Sequence, residues 1–78
     1  MHKVIIYSSS TCYSCRMAKD FLQKNKIEYI DRDIASDSAF GSEVVQKSGQ
    51  MSVPVLDIDG QIVIGFDESK IRDLLEIR

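Results

Sequence analysis

The chain has 78 residues, enough for one small domain, and we expect a single domain over residues 1–78. Hydrophobic residues make up 44% of it, which excludes a disordered chain, because disorder goes with few apolar residues and high net charge. The formal net charge of −2 gives no basic surface for a nucleic-acid backbone, and no apolar stretch approaches the about 20 residues of a membrane span. We therefore predict a cytoplasmic protein that binds neither nucleic acid nor membrane.

The first part of the sequence predicts a strand, a helix and a second strand. A strand is predicted over residues 3–7, because Lys3 is followed by a continuous apolar run rich in β-formers, which is typical of a strand buried on both faces. A helix is predicted over 13–25, after the polar loop 8–11, and a second strand over 27–34. The apolar stripe of this helix is expected to consist of Met17, Ala18, Phe21 and Leu22.

A second helix follows, which Ser36 or Asp37 can cap and which ends at Gly49, a residue suited to a left-handed helix end. Its inward side chains are expected to be Phe40, Val44 and Val45. Strands over 53–58 and 61–64 are joined by Asp59-Gly60, a strong signal for a two-residue hairpin.

Asp67 can cap the last helix, in which Ile71, Leu74 and Leu75 have helical spacing. The predicted order is therefore β-α-β-α-β-β-α. A parallel pair from the first β-α-β unit and an antiparallel hairpin edge predict a mixed sheet with helices on both faces.

The motif Cys12-Tyr13-Ser14-Cys15 lies between the first strand and the first helix. A Cys-x-x-Cys pair at this position indicates a dithiol/disulfide centre. Cys12 lies at the amino end of the helix, where free N–H groups and the helix dipole favour a thiolate, the species that attacks disulfides. Cys15 lies one turn further in, and Arg16 adds a positive charge near the pair.

A metal site is the structural alternative for the two cysteines. A closed zinc site needs four ligands, and the only other soft candidate in the chain is His2. We therefore predict no resident metal within one chain. An iron–sulfur cluster shared between two chains stays open as an alternative, because thiolates from each chain could contribute to its shell.

Two further segments allow a structural and a functional interpretation. Pro54 can simply begin a strand, or it can form a cis peptide bond with Val53. Gly65-Phe66-Asp67 can be a strand end followed by a helix cap. A helix amino end of this kind can also hold a carboxylate.

Together these segments resemble a glutaredoxin of the dithiol Cys-x-x-Cys type, within the thioredoxin superfamily. The family's strand, Cys-x-x-Cys and helix match residues 4–25. Its Ser/Thr-Val-Pro segment matches 52–54, and its turn before the last helix is approximated by 65–68. The resemblance implies a thioredoxin fold with a four-stranded sheet and three helices.

The resemblance also implies roles for individual residues. Cys12 is the nucleophile, Cys15 is the resolving thiol, and a cis Pro54 packs opposite Cys12. The backbone of Val53 pairs with the cysteinyl part of glutathione, whose γ-glutamyl end lies at Phe66 and Asp67. The implied substrate- or glutathione-binding residues are Tyr13, Ser52, Val53, Pro54, Gly65, Phe66 and Asp67.

The sequence departs from the usual glutaredoxin pattern in ways that leave two electron donors open. Tyr13-Ser14 stands where the family has Pro-Tyr, and Ser9 stands where a basic residue is common. Phe66 resembles redoxins that supply ribonucleotide reductase and are reduced by thioredoxin reductase, whereas Asp67 resembles glutaredoxins proper. Glutathione is the expected reductant, and a flavoprotein disulfide reductase is the alternative.

The sequence thus predicts a monomeric thiol–disulfide oxidoreductase that acts on protein disulfides or glutathione mixed disulfides. Glutathione serves as co-substrate, and no cofactor is tightly bound. The alternatives are the dimeric iron–sulfur module and a redox sensor that passes its state to a partner.

Overall fold

Seven elements follow one another in the predicted order, and the computed structural model describes them within residues 2–77. The elements are β1 (Val4–Ser8), α1 (Tyr13–Lys24), β2 (Ile30–Asp33), α2 (Ser38–Ser48), β3 (Val55–Ile58), β4 (Gln61–Ile64) and α3 (Glu68–Leu75). None of the three helices described is long and apolar enough to cross a membrane.

The four strands form one mixed sheet in the order β2-β1-β3-β4. β1 runs parallel to β2 and antiparallel to β3, and β4 is the antiparallel edge. Asp59 and Gly60 connect β3 to β4 with φ angles of 53° and 89°. Two consecutive left-handed residues are typical of the turn that matches the twist of a hairpin, which confirms the hairpin prediction.

Each face of the sheet carries its own apolar cluster, because side chains of β1 alternate between the faces. Val4 and Ile6 pack with buried side chains of α1 and α3, whereas Ile5 and Tyr7 pack with Val44 of α2. Helices therefore cover both faces, as predicted. Burial on both faces also explains why β1 lacks polar alternation.

The inward face of α1 differs from the predicted stripe. Met17 is 40% exposed, while Cys15, Ala18 and Leu22 are buried. The buried positions follow one another at intervals of three and four residues, and Met17 lies outside this stripe. The same correction applies to Val45 in α2, which is 43% exposed beside the fully buried Val44.

Two strands are shorter than predicted. After α1 the chain turns through Lys26 at φ 56°, and the Ile27 N–H donates to the Leu22 carbonyl at 2.9 Å, so β2 begins only at Ile30. β3 begins at Val55 and not at Val53. Val53 therefore precedes the sheet, and its carbonyl is free to face another part of the molecule.

A polar network surrounds the hydroxyl of the fully buried Tyr7. This hydroxyl donates to Glu43 Oε1 and accepts from Lys47 Nζ at 2.8 Å and Arg32 Nη1 at 3.3 Å. Arg32 also binds Glu43 at 2.6 Å, and Lys47 binds Asp57 at 2.7 Å. We call these five side chains the Tyr7 network. They connect α2 to β1, β2 and β3.

The Tyr7 network shifts the ionisation of its carboxylates. The bond from the Tyr7 hydroxyl, followed by the bond from Arg32, lowers the pKa of Glu43 although burial opposes the shift. Burial would raise the pKa of Asp57, but bonds from Lys47 and the Gly60 N–H outweigh it and lower the pKa. Both carboxylates are thus held in their charged form.

Replacement of Tyr7 by Phe should lower the free energy of unfolding by about 1–2 kcal/mol, since its half-buried polar partners lose their shared hydrogen-bonding group. Urea unfolding of the wild-type and Tyr7→Phe proteins measures this difference. Tyr29→Phe is the matched control, because the bond that the Tyr29 hydroxyl makes with Gln23 is exposed. Equal effects of the two substitutions would contradict a stabilising role of the Tyr7 network.

Acid should destabilise the fold through Glu43, Asp57 and Asp59. Bonds from His2 and the Lys3 N–H lower the pKa of Asp59 in the folded state, and the other two are lowered as described. Because the unfolded carboxyls bind protons first, with pKa values of about 4, this stabilisation is complete above that range and is lost as the pH falls through the folded values. Urea unfolding between neutral and acid pH tests it, and Asp59→Asn should flatten the dependence. An unchanged slope in the variant would exclude Asp59 as a contributor.

Candidate active site

Helix α1 begins with a sulfur cap. Cys12 is the N-cap residue, with φ −94° and ψ 114°, and its Sγ accepts the backbone N–H of Cys15 at 3.1 Å. Cys15 is the third helical residue, the position whose N–H an N-cap side chain ordinarily takes. The Cys-x-x-Cys spacing therefore places the first sulfur on the amide of the second cysteine.

The two cysteines form a disulfide, with their Cα atoms 5.2 Å apart. Cys15 is only 1% exposed, whereas Cys12 is half-buried and reaches the surface. When the bond is reduced, an incoming disulfide can therefore approach Cys12 more easily than Cys15. This difference in access favours Cys12 as the first attacking sulfur.

The Val53-Pro54 segment lies against the outer sulfur. Cys12 Sγ is 3.7 Å from the Val53 carbonyl oxygen and 3.5 Å from Ser14 Oγ. The Val53–Pro54 peptide bond is cis, as the resemblance implies, and Pro54 is buried. The Pro54 carbonyl accepts the Gly65 N–H at 2.8 Å, which joins this segment to the end of β4. Cys12, Val53, Pro54 and Gly65 are thus connected by successive contacts.

The remaining predicted site residues differ in their exposure and in their contacts. Tyr13 is 75% exposed at the start of α1. The Ser52 hydroxyl binds the side-chain amide of Gln50 at 3.1 Å. Phe66 packs against Phe21, with ring centroids 5.8 Å apart, at the margin of the core. Tyr13 is therefore open to solvent, whereas Phe66 is partly buried.

Asp67 has the predicted capping position. Its Oδ1 accepts the Lys70 N–H at 3.2 Å at the start of α3, and the residue is exposed. The structural interpretation of the Gly65-Phe66-Asp67 segment is therefore correct. The glutathione-binding roles of Phe66 and Asp67 stay predictions.

The sequence prediction left out the surface on the other side of Cys12. Two small cavities, of about 160 and 220 Å³, both have Ser10, Cys12 and Arg16 in their lining. The sequence signal was the positive charge of Arg16 next to the motif, but its direction could not be read from spacing alone. Within residues 2–77, no group of three or more His, Cys, Asp or Glu side chains is arranged to hold a metal ion.

Comparison of the sequence with known proteins identifies relatives of this chain. The glutaredoxin family model matches residues 4–63. An uncharacterised glutaredoxin-like 8.6 kDa protein of Clostridium pasteurianum, encoded in a rubredoxin operon, is 38% identical over 71 residues, which cover 91% of this chain and 95% of that protein. Glutaredoxin 3 of Escherichia coli K12 is 32% identical over 68 residues, covering 87% and 82% of the two chains.

Among solved structures, a variant of the thioredoxin-like protein BC3987 superimposes with a TM-score of 0.92 at 32% identity. The match covers all of both chains. The sheet order and helix placement described above are therefore those of a thioredoxin fold, as predicted.

In the reduced protein, Cys12 should react with iodoacetamide at least about tenfold faster than Cys15, because Cys15 is buried and Cys12 is accessible. Mass spectrometry of peptides after brief labelling identifies the first cysteine modified. Denaturation should remove the difference. Preferential labelling of Cys15 in the folded protein would contradict the assignment of Cys12 as the outer thiol.

Proposed function

Because the chain belongs to the glutaredoxin family, we propose that it reduces disulfides through Cys12 and Cys15 with glutathione as electron donor. The family and the paired cysteines support thiol–disulfide oxidoreductase activity in general. The observation that carries the proposal is the bond from the Cys15 N–H to the Cys12 sulfur, at the exposed start of α1. This bond stabilises negative charge on the sulfur that an external disulfide can reach.

The reaction is an exchange of two electrons in two steps. The Cys12 thiolate attacks one sulfur of the substrate disulfide, and the other sulfur leaves as a thiolate that takes up a proton. The Cys15 thiol then loses its proton and attacks the Cys12 sulfur. This second step forms the intramolecular disulfide and releases the remaining half of the substrate as a thiol.

Substrate placement follows from the segment next to Cys12. Val53 lies before β3, so its backbone is not occupied by the pairing of that strand and is available to an extended substrate. Its carbonyl faces Cys12 Sγ at 3.7 Å. We propose that the cysteinyl part of glutathione, or a substrate backbone, pairs with Val53 while Pro54 shields the sulfurs. Tyr13 and Ser52 border this surface in the proposal.

Glutathione returns the protein to the dithiol form in the proposed cycle. One glutathione thiolate attacks the Cys12–Cys15 disulfide, and a second releases the mixed disulfide as oxidised glutathione. The exposed Asp67 at the start of α3 is the proposed contact for the γ-glutamyl ammonium group, with Phe66 and Gly65 beside it. We place the reaction in the cytoplasm, where thiols such as glutathione are kept reduced. We also propose that the protein acts as a monomer.

A flavoprotein disulfide reductase is the competing electron donor, because Ser9 supplies no cation for a glutathione carboxylate. Its hydroxyl instead lies 3.2 Å from the Thr11 hydroxyl in the loop before Cys12. Protein disulfides then remain the substrates. Only the step that reduces the Cys12–Cys15 bond differs between the two donors.

The donor can be decided by following NADPH oxidation in two parallel assays with the same protein disulfide. One contains glutathione and glutathione reductase, and the other contains thioredoxin reductase. We expect at least about tenfold stimulation in the glutathione assay. Stimulation only in the second assay would replace glutathione by a flavoprotein reductase.

Single cysteine variants separate the two thiols in the glutathione assay, run once with the protein disulfide and once with a glutathione mixed disulfide as substrate. Cys12→Ser should abolish disulfide reduction, since the outer nucleophile is lost. Cys15→Ser should keep exchange with glutathione mixed disulfides, which needs one thiol only. Full dithiol turnover by the Cys12→Ser protein would contradict the mechanism.

A further inference from the structure

Arg16 is a cation beside the reactive sulfur, and it has no carboxylate partner among residues 2–77. It is exposed on α1, one turn after Cys12. Within residues 2–77, no carboxylate lies within 4.0 Å of its guanidinium group. Lys19, the next cation on α1, is instead bound to Asp31 at 2.7 Å. Arg16 thus keeps its hydrogen-bond donors available for a group that comes from outside the described chain.

The space beside Arg16 opens onto Cys12. The smaller cavity, of about 160 Å³, is completed by Thr11 and Tyr13. The larger, of about 220 Å³, extends along α1 past Lys19 and Asp20. We call the two cavities together the Arg16 groove. Neither is lined by Val53 or Pro54, so the groove is separate from the surface proposed for the substrate backbone.

The size and lining of the Arg16 groove restrict what can occupy it. Both cavities are below the about 300–1,000 Å³ of sites that enclose drug-sized ligands. Each cavity has room for a group of a few atoms. Arg16 offers a planar fork of N–H donors, and the hydroxyls of Ser10 and Thr11 can add further hydrogen bonds, a set that matches a carboxylate.

We propose that Arg16 determines specificity for small disulfides that carry a carboxylate a few bonds from the sulfur. The carboxylate binds in the Arg16 groove while the Cys12 thiolate attacks the neighbouring sulfur. The exchange itself is the one described above, so this inference rests on the proposed function and names a substrate class for it. Asp20, also in the lining of the larger cavity, opposes the binding of an anion.

Three small disulfides of different charge serve as probes: dithiodipropionate is anionic, hydroxyethyl disulfide is neutral and cystamine is cationic. Each is mixed with the pre-reduced protein without glutathione, and mass spectrometry after acid quenching follows formation of the Cys12–Cys15 disulfide. Comparison of variant with wild type for each probe removes the intrinsic reactivity of the probes. If no probe oxidises the wild-type protein, the proposed function itself fails.

Arg16→Gln should slow oxidation by dithiodipropionate about fivefold, the upper range for an exposed ion pair, and change the rate with hydroxyethyl disulfide less than about twofold. Arg16→Lys should recover part of the loss. Asp20→Asn should have the opposite effect and increase the rate of oxidation by dithiodipropionate. Lys24→Gln is the matched control, because Lys24 is a cation in the last turn of α1 that lines neither cavity, and it should have a smaller effect than Arg16→Gln.

The pattern across probes separates docking from a general effect on the thiol. If Arg16 acted only by raising the reactivity of Cys12, Arg16→Gln would slow all three disulfides and iodoacetamide labelling by the same factor. That result would overturn the proposal, as would an unchanged rate with dithiodipropionate. Added salt should slow the oxidation of the wild type by dithiodipropionate more than its oxidation by hydroxyethyl disulfide, since salt screens exposed charges.

Discussion

The first turn of α1 is capped by sulfur where most helices use oxygen. Cys12 Sγ accepts the Cys15 N–H at 3.1 Å, so one geometry starts the helix and orients the outer sulfur. The same helical turn places the Cys15 side chain in the interior, where it is 1% exposed. Two cysteines of identical chemistry thereby become different, one accessible and hydrogen-bonded to a backbone N–H, the other shielded. The proposed division into attacking and resolving thiols depends on this asymmetry.

The sheet fixes the positions of the segments around the two cysteines. β1 is buried on both faces and leads directly into the loop before Cys12. The Tyr7 network joins α2 to this strand. The late start of β3 leaves the Val53 carbonyl facing the sulfur instead of a neighbouring strand. Cys12 thus lies between a backbone surface at Val53 and the charged groove at Arg16. In the proposed function, a disulfide that reaches Cys12 is recognised by hydrogen bonding at Val53 and by charge at Arg16.

Local sequence signals predict the order and type of the helices and strands. The polar contacts between residues far apart in the sequence could not be predicted in this way. The hairpin at Asp59-Gly60 and the left-handed Gly49 at the end of α2 follow from backbone preferences of short segments. The sequence pattern predicts Met17 on the inward face if Cys15 is counted only as a thiol. If Cys15 is counted as a small apolar residue, the predicted stripe moves to its observed position. The Tyr7 network could not be predicted, since the Tyr7 hydroxyl contacts residues that are 25 to 40 positions away in the chain. The cis bond at Pro54 and the nucleophilic role of Cys12 were expectations from the family resemblance, and only the former is visible in the geometry.

Ionisation of the Cys12 thiol tests the central claim most directly, because the claim is that the helix start stabilises its anion. The Cys15→Ser protein is suited to this measurement, since it keeps the backbone N–H at position 15 and has a single thiol to titrate. The ultraviolet absorbance of the thiolate, followed against pH, should show half-ionisation well below the value of about 8.5 typical of a free cysteine. Unfolding in urea should return the midpoint to that value. Half-ionisation near 8.5 in the folded protein would contradict an activated Cys12.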